Sequence, residues 1–448
     1  MLPLSAKQLA IDVGNVTKGM YVSKLDRPWL ETPFLFRGFE IKEQSEIDQL
    51  QQYCRLVFVD VDRGDLSPDQ VKLLLHSHAA NDASGDARRM PAKGPGPVRR
   101  SLQNLLGRLG MNRNAGAAEE AESKLEAYPI QATVRGEAER ANEAFQNLAE
   151  HHRDMMEYAN FRCQVKTDAL RRAVQPAIKS VLRNPNALAW TVFSRKHSNE
   201  DYNRAVGTTI WCLLLGRQLG FSREMLDDLA MGGMLLDIGN ARIPGSIAAT
   251  EGDISEEQYE SLRLHVELGV QILECSQEVP GNVMDMIRCH HERADGSGYP
   301  HGLRGNDIPP FGRIAGIADC YDAMTTISPY SKPMAAYDAA RALNDMRGRE
   351  FAAEVVEQFL ATMGTFPVGS IVELNDGCIG VVLVQNPENA LRPKVMVLLD
   401  KDRNPLPERQ IIEMRDLPVD VTHSSAKWIV NGHEHGAFGI DPLKIFEN

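Results

Sequence analysis

The stretch from Cys289 to Pro300 reads Cys-His-His-Glu-Arg-Ala-Asp-Gly-Ser-Gly-Tyr-Pro, and it decides how the chain is interpreted. Two adjacent imidazoles are followed by charged side chains and a glycine-rich turn. Imidazole is a common metal ligand, arginine binds phosphate through a planar fork of donors, and glycine lets the backbone approach a ligand closely. The composition indicates a metal and phosphate site, whereas an isolated His-His pair would be read as a solvated surface feature.

This stretch resembles the signature of the HD-GYP family, His-His-Glu-Arg-x-Asp-Gly-x-Gly-Tyr-Pro, and every fixed position is present. The family is a branch of the metal-dependent HD phosphohydrolases, and its known activity is hydrolysis of the bacterial second messenger cyclic di-GMP. The resemblance covers roughly Ala187 to Met363 and implies a multi-helix HD-type bundle. Because one fold hosts several functions, the activity has to be argued from the site residues.

The resemblance implies a set of metal ligands that lie far apart in the sequence. The matching positions are Asp237, His265, His290, His291 and Asp319, with Glu200 at the place where relatives that bind a third metal ion have a glutamate. Each residue alone is weak evidence, since a single Asp or His in a helix more often caps it or is simply hydrogen-bonded. Three imidazoles and a carboxylate suit iron, manganese or zinc.

Three positions around the metal site depart from the family pattern. Leu236 and Asn240 stand where His and Lys are expected, and Arg204 stands where an earlier helix should supply a second His. Leucine has no lone pair for a metal, and asparagine cannot supply a cation that steadies phosphate. We therefore expect one transition-metal ion instead of two or three, with the Arg204 guanidinium replacing the charge of the lost ion. No catalytic residue is assigned.

For the ligand, the resemblance implies contacts from Arg293, Tyr299 and Asp322. Two cations of the family pattern are replaced by Ser328 and Ser331, and only the displaced Lys332 could partly compensate. We therefore expect weak binding of cyclic di-GMP.

Bulk properties exclude several classes of protein. The chain has 448 residues, a formal net charge of −12, and seven cysteines without any Cys-x-x-Cys pair. The acidic balance argues against general nucleic-acid or anionic-membrane binding, and the odd number of cysteines suits a reducing compartment. No apolar run is long enough to cross a bilayer. The expectation is a cytoplasmic protein.

The predicted fold is mainly α, with a small α+β domain before the bundle and a small β appendage after it. The boundaries are 1–65 for the N-terminal domain, 66–128 for a flexible linker, 129–186 for a helical connector, 187–363 for the HD-GYP domain and 364–448 for the β appendage and tail. The first segment is similar to a domain of unknown function that often precedes HD-GYP modules. The connector either pairs with its copy in a homodimer or packs on its own domain, and Pro176 is expected to break its helix.

The β appendage is expected to contain short strands at Gly369 to Asn375, Cys378 to Gln385 and Lys394 to Asp400. Asp376-Gly377 is typical of a hairpin turn between the first two. The tail from about His423 is expected to be irregular.

Three hypotheses remain open. The first is a signalling protein that senses cyclic di-GMP or binds a partner through a degenerate hydrolase centre. The second is a working phosphodiesterase with a one-metal site. The third is a scaffold that binds no nucleotide and uses the Gly-Tyr-Pro loop against proteins such as diguanylate cyclase domains.

Overall fold

The computed structural model describes residues 8–25, 39–60, 128–197, 203–243, 255–326, 333–386, 389, 391–418, 425–441 and 445. The chain divides into two compact units. The first comprises Met1–Gly96 with Glu388–Arg392 and Glu413–Trp428, and the second comprises the remaining segments, Pro97–Pro387, Pro393–Ile412 and Ile429–Asn448. Residues 66–127 of the predicted linker lie outside the described residues.

In the residues that the structure describes, the first unit contains an antiparallel sheet and one helix. Its strands are β1 Gln8–Asp12, β2 Tyr21–Leu25, β3 Phe39–Glu40 and β4 Leu56–Asp60, in the order β1-β4-β2-β3, and its helix is α1 Gln44–Tyr53. Helix α1 begins with a capping box in which Glu43 and Glu46 satisfy each other's backbone N–H groups. The buried Leu50 of α1 and Val57 and Val59 of β4 belong to one apolar core. The predicted α+β character of this segment is confirmed.

The second unit is built mainly of helices. They are α2 Val134–Arg162, α3 Thr167–Arg183, α4 Pro185–His197, α5 Arg204–Gln218, α6 Arg223–Leu235, α7 Glu256–Arg263, α8 His265–Glu274, α9 Gly281–Cys289, α10 Pro310–Met324, α11 Ala336–Asp345 and α12 Ala353–Met363. Capping side chains mark where several begin, since Asn203 accepts from Val206 N and Ser222 accepts from Met225 N. The predicted multi-helix bundle is confirmed.

The connector contains two helices, α2 and α3, and the break between them is not where the sequence indicates it. Helix α2 ends at Cys163 in a left-handed conformation, whereas Pro176 lies inside α3. Proline in a helix interior removes a hydrogen bond, but the neighbouring Val174, Ala177 and Ile178 are buried. The prediction that Pro176 breaks the helix was therefore wrong, because packing of the apolar stripe outweighs the local cost. Helix α2 packs against α3 and α4 of its own unit.

After α12 the chain forms a five-stranded sheet in the order β8-β7-β6-β5-β9. The strands are β5 Ile371–Leu374, β6 Ile379–Val384, β7 Lys394–Leu399, β8 Pro405–Glu413 and β9 Ile429–His433. Strands β5, β6 and β7 match the predicted segments. The prediction of an irregular tail from about His423 was wrong for β9, which pairs antiparallel with β5 and places Ile371 opposite His433. Trp190 of α4 belongs to the core of this sheet, so sheet and bundle pack together.

Candidate metal centre

Four side chains from different parts of the bundle converge on one point. Asp237 follows α6, His265 begins α8, His290 directly follows α9, and His291 is the next residue. One ligand atom of each lies within 4.8 Å of the others. The structure thus brings together four of the six residues predicted as metal ligands.

A glycine allows two of the elements to approach. Asp237 is followed by the short 3-10 helix Ile238–Arg242, which lies against the start of α8. A Cβ atom at Gly239 would stand 1.9 Å from the His265 carbonyl oxygen. Only a residue without a side chain fits there. This contact holds Asp237 beside His265.

The hydrogen bonds of two imidazoles define which nitrogen is available. His265 Nδ1 is 2.7 Å from the Leu262 carbonyl oxygen, and His290 Nδ1 is 3.0 Å from the Ile287 carbonyl oxygen. Because a carbonyl only accepts, each Nδ1 donates, and each neutral ring therefore keeps a bare lone pair on Nε2. The two Nε2 atoms are 3.2 Å apart, and Asp237 Oδ1 is 3.3 Å from that of His265.

The atoms His265 Nε2, His290 Nε2 and Asp237 Oδ1 are all electron-rich. At these separations they repel one another unless a cation lies between them. Ligand atoms bound at about 2.1 Å around a four-coordinate ion stand about 3.4 Å from each other. The separations of 3.2 and 3.3 Å are close to that spacing, and the third, between His290 Nε2 and Asp237 Oδ1, is longer at 3.9 Å. The cluster therefore fits a transition-metal ion, and its mixture of imidazole and carboxylate does not select among iron, manganese and zinc.

Burial keeps two of the imidazoles neutral, as metal ligands must be. His290 is completely buried, and burial lowers its pKa to about 4. Burial and the neighbouring imidazoles of His290 and His265 hold the pKa of His291 well below its ordinary value. At neutral pH both rings can offer lone pairs without first losing a proton.

The fourth ligand is held by an aromatic stack. The His291 ring lies on the Tyr299 ring with centroids 4.5 Å apart and an interplanar angle of 20°. The Arg263 guanidinium lies 4.4 Å from the Tyr299 centroid, a cation–π distance. Tyr299, predicted to contact ligand, therefore packs against the ring of a candidate metal ligand.

The fifth predicted ligand, Asp319, is not part of the cluster. Its Oδ1 atom accepts from Arg204 Nη2 at 2.9 Å. Burial raises the pKa of Asp319 to about 6, and the positive charge of Arg204 opposes that shift. Arg204 thus forms an ion pair with Asp319, and its Nε atom lies 3.8 Å from the Asp322 carboxylate.

The two other substituted positions face different surroundings. Leu236 is buried at the C-terminal end of α6, whereas Asn240 is exposed on the 3-10 helix. The Leu236 side chain has no lone pair for a metal ion, and the Asn240 side chain carries no positive charge.

Asp322, predicted to contact ligand, is completely buried in α10. Its Oδ1 atom accepts from Trp211 Nε1 at 2.9 Å and pairs with Lys196 Nζ at 2.8 Å. Lys196 also donates to Thr325 Oγ1 at 2.7 Å. These contacts tie α4, α5 and α10 together behind the cluster. The sequence analysis did not identify Lys196, which reads as an ordinary charged residue on a helix.

The loop after His291 is braced by its own charged residues. Glu292 is buried, and its two carboxylate oxygens accept from the backbone N–H groups of His301 and Leu303 at 2.7 and 2.8 Å. Arg293, predicted to contact ligand, donates to the carbonyls of His290 and Glu292. Two further predicted residues, Glu200 and Lys332, lie outside the described residues, as do Ser328 and Ser331.

Three family models match this chain. An HD domain matches residues 186–355, a domain of unknown function, DUF3391, matches residues 8–170, and a KOW domain associated with HD domain matches residues 371–419. The metal cluster lies entirely within the HD match. Among the described residues, no helix has both the length and the apolar character needed to cross a bilayer.

Relatives with curated names share different lengths of the chain. A cyclic di-GMP phosphodiesterase of Pseudomonas aeruginosa is 28% identical over 407 residues, which are 90% of this chain and 88% of the relative. A cyclic di-GMP phosphodiesterase of Thermotoga maritima is 34% identical over 147 residues, 33% of this chain and 40% of the relative. A 3'3'-cGAMP-specific phosphodiesterase 2 of Vibrio cholerae is 35% identical over 175 residues, 38% of this chain and 34% of the relative.

The domain order, the complete signature from His290 to Pro300 and the cluster of histidines and aspartate agree with one another. The chain therefore contains an HD domain that carries the complete HD-GYP signature, with a DUF3391 domain before it.

Proposed function

We propose that this protein binds cyclic di-GMP at an HD site that holds one transition-metal ion, and that it hydrolyses the ligand slowly or not at all. Its main role would then be to sense the nucleotide or to bind a partner in its signalling pathway. The observation that carries the proposal is the 2.9 Å ion pair between Arg204 and Asp319. A guanidinium stands beside a carboxylate that the family pattern would use for a first metal ion.

The chemistry follows from the ligands that remain. A metal ion held by Asp237, His265, His290 and His291 would polarise a phosphate oxygen of the ligand. Two-metal hydrolysis also stabilises the leaving oxygen with a paired ion. In this chain, Asp319 is already neutralised by Arg204, and Leu236 supplies no ligand atom. The remaining residues suit phosphate binding better than phosphodiester cleavage.

The ligand is inferred from the relatives, whose names specify cyclic di-GMP or 3'3'-cGAMP. Arg263 and Arg293 flank the loop that carries His291 and Tyr299, so positive charge is available locally in an acidic protein. Serines at two positions that the family pattern fills with cations favour weak binding. A charge-assisted hydrogen bond contributes about 1.5–3 kcal/mol.

The second candidate is a working phosphodiesterase with an atypical one-metal site. It is favoured by the match to a relative named as a cyclic di-GMP phosphodiesterase over 90% of this chain. The two candidates differ in turnover and not in ligand.

The deciding experiment measures hydrolysis of cyclic di-GMP by the wild type and by a triple variant, Arg204→His, Leu236→His and Asn240→Lys, with manganese or ferrous iron. We expect little or no wild-type turnover and a gain in the triple variant, with single changes doing much less because metal ligands act as a unit. Circular dichroism must show that the triple variant folds, since a new imidazole at the buried Leu236 position can overpack the core.

Robust wild-type turnover that His290→Ala abolishes would establish the second candidate instead. If calorimetry detects no cyclic di-GMP binding by the wild type, the nucleotide-independent scaffold becomes the better description.

A further inference from the structure

His152, on the connector helix α2, has a buried ring nitrogen without a partner. Its Nε2 atom is shielded from solvent, and no described residue forms a hydrogen bond with it. A buried polar atom without a partner carries a free-energy penalty. The neighbouring His151 is different, because it is exposed and its Nδ1 atom bonds to the Asn147 carbonyl one turn earlier.

The contact of the other ring nitrogen of His152, Nδ1, determines whether Nε2 donates or accepts a hydrogen bond. Asn203 caps α5, and its Oδ1 atom accepts from Val206 N at 3.3 Å. The Asn203 amide nitrogen is therefore turned toward His152 Nδ1, at 3.0 Å. An amide nitrogen only donates, so Nδ1 accepts and Nε2 of the neutral ring carries the hydrogen. His152 thus presents a buried N–H donor, not a metal-ligating lone pair.

This donor lies on the Asp237 side of the bundle. Helix α2 packs against the 3-10 helix that follows Asp237, and Arg242 of that helix donates to the Asn160 carbonyl of α2 at 3.2 Å. The Asp237 charge also acts on His152, because it raises the pKa of the ring against the larger lowering effect of burial. His152 is therefore an electrostatic neighbour of a predicted metal ligand, although it stands 85 residues earlier in the chain (237 − 152).

We propose that His152 is an additional phosphate-binding residue of this site, whose Nε2–H donates to an anionic phosphate oxygen held beside Asp237. This inference rests on the proposed function for the identity of the ligand, but its chemistry requires only a phosphate oxygen. It also gives α2 a role beyond packing. The DUF3391 match runs to residue 170 and includes His152, so a segment outside the HD match contributes directly to ligand binding.

The test is calorimetric binding of cyclic di-GMP and, separately, of inorganic phosphate to the manganese-loaded full chain. His152→Leu should weaken both at least about tenfold, the loss expected for one hydrogen bond to a charged group. His152→Gln, which keeps an N–H donor near the Nε2 position, should recover most of the affinity. His151→Leu, one residue away on the exposed side, should bind as the wild type does. Thermal unfolding of each variant shows whether it is folded.

A second readout is the ¹⁵N spectrum of histidine-labelled protein. His152 should appear as the Nε2–H tautomer, with its Nε2 signal shifting when phosphate is added. Equal affinities of wild type and His152→Leu for both probes, or an Nδ1–H tautomer, would overturn the inference and leave the proposed function standing. Phosphate binding that depends on His152, without cyclic di-GMP binding, would overturn the proposed ligand and support the inference. A wild type that binds neither probe would overturn both.

Discussion

His265 and His290 point their Nε2 atoms at each other across 3.2 Å, while the Nδ1 atom of each is held by a carbonyl of its own chain segment. Neither ring can turn to relieve this approach without breaking its bond to Leu262 or Ile287. The backbone therefore positions two lone pairs before any ion arrives. A cation at this point would remove a repulsion that the fold itself creates.

We predict that the protein purified without oxygen holds about one transition-metal ion per chain. His290→Ala should lose that ion, because it removes one of the two facing lone pairs. Asp319→Asn should keep it, since Asp319 pairs with Arg204 and not with the cluster. Elemental analysis of the wild type, His290→Ala and Asp319→Asn measures the metal content per chain. Two or more ions per wild-type chain, or an Asp319→Asn protein without metal, would contradict a one-metal site.

The Lys196–Asp322 pair should dominate the stability of the region behind the site. Both side chains are buried, and Lys196→Met leaves the Asp322 carboxylate without its lysine partner. Breaking a buried pair in this way costs about 3–5 kcal/mol. Chemical denaturation followed by circular dichroism measures the loss. Lys179→Met on α3, an exposed position, is the matched control and should change the free energy of unfolding by less than about 0.5 kcal/mol.

Glu292→Gln should loosen the loop that carries His291 and Tyr299. Both carboxylate oxygens accept from backbone N–H groups, and an amide can accept through only one of its two end atoms. A hydrogen bond to a charged acceptor contributes about 1.5–3 kcal/mol of stability, which the variant should lose in this loop. Hydrogen exchange at His301 and Leu303 should accelerate accordingly. Glu267→Gln, at an exposed position, is the control variant. Unchanged hydrogen exchange in the Glu292→Gln variant would show that the loop is held by other contacts.

Glu137 and Arg183 should make folding sensitive to acid. Burial raises the pKa of Glu137, but the hydrogen bonds and charge of Arg183 outweigh it, so the pKa lies below its ordinary value. A carboxyl with a lowered pKa contributes stability that is complete above its unfolded pKa of about 4.3 and is lost as the pH falls through its folded value. Glu137→Gln should lower the free energy of unfolding at neutral pH and reduce its decline in acid.

Urea unfolding of wild type and Glu137→Gln at neutral and acidic pH tests that expectation. The exposed Glu139→Gln on the same helix should behave as the wild type does. If Glu137→Gln equals the wild type at neutral pH, the ion pair makes no net contribution.

The site residues that could be predicted most directly are those within one contiguous sequence motif. His290 and His291 stand side by side in a twelve-residue pattern, and the family resemblance that this pattern carries implied Asp237 and His265. Lys196 and His152 could not be found this way, because the partners that give them a role are remote in sequence. Lys196 meets Asp322 across 126 residues, and His152 meets the cap of a helix 51 residues later. A local sequence pattern does not indicate contacts between residues that are so far apart in the chain.

The fold shows the same division. Helices with long apolar stripes and the strands around the Asp376-Gly377 turn were predictable from periodicity and turn chemistry. Strand β9 was not, because Asn431, Gly432 and His433 have little strand propensity. It is a strand because β5 offers an edge with backbone groups to pair. The prediction for Pro176 was wrong in the opposite direction. Proline disfavours helices, but Pro176 stays helical because its neighbours are buried.

The pairing of β9 with β5 also has a consequence during protein synthesis. Strand β5 is complete at Leu374, but its partner strand begins only at Ile429. As the ribosome makes the intervening residues, the emerging domain exposes an open row of N–H and C=O groups along β5. Such an edge can pair with another nascent chain. Loss of the segment from Ile429 onward would recreate the same edge in the finished protein.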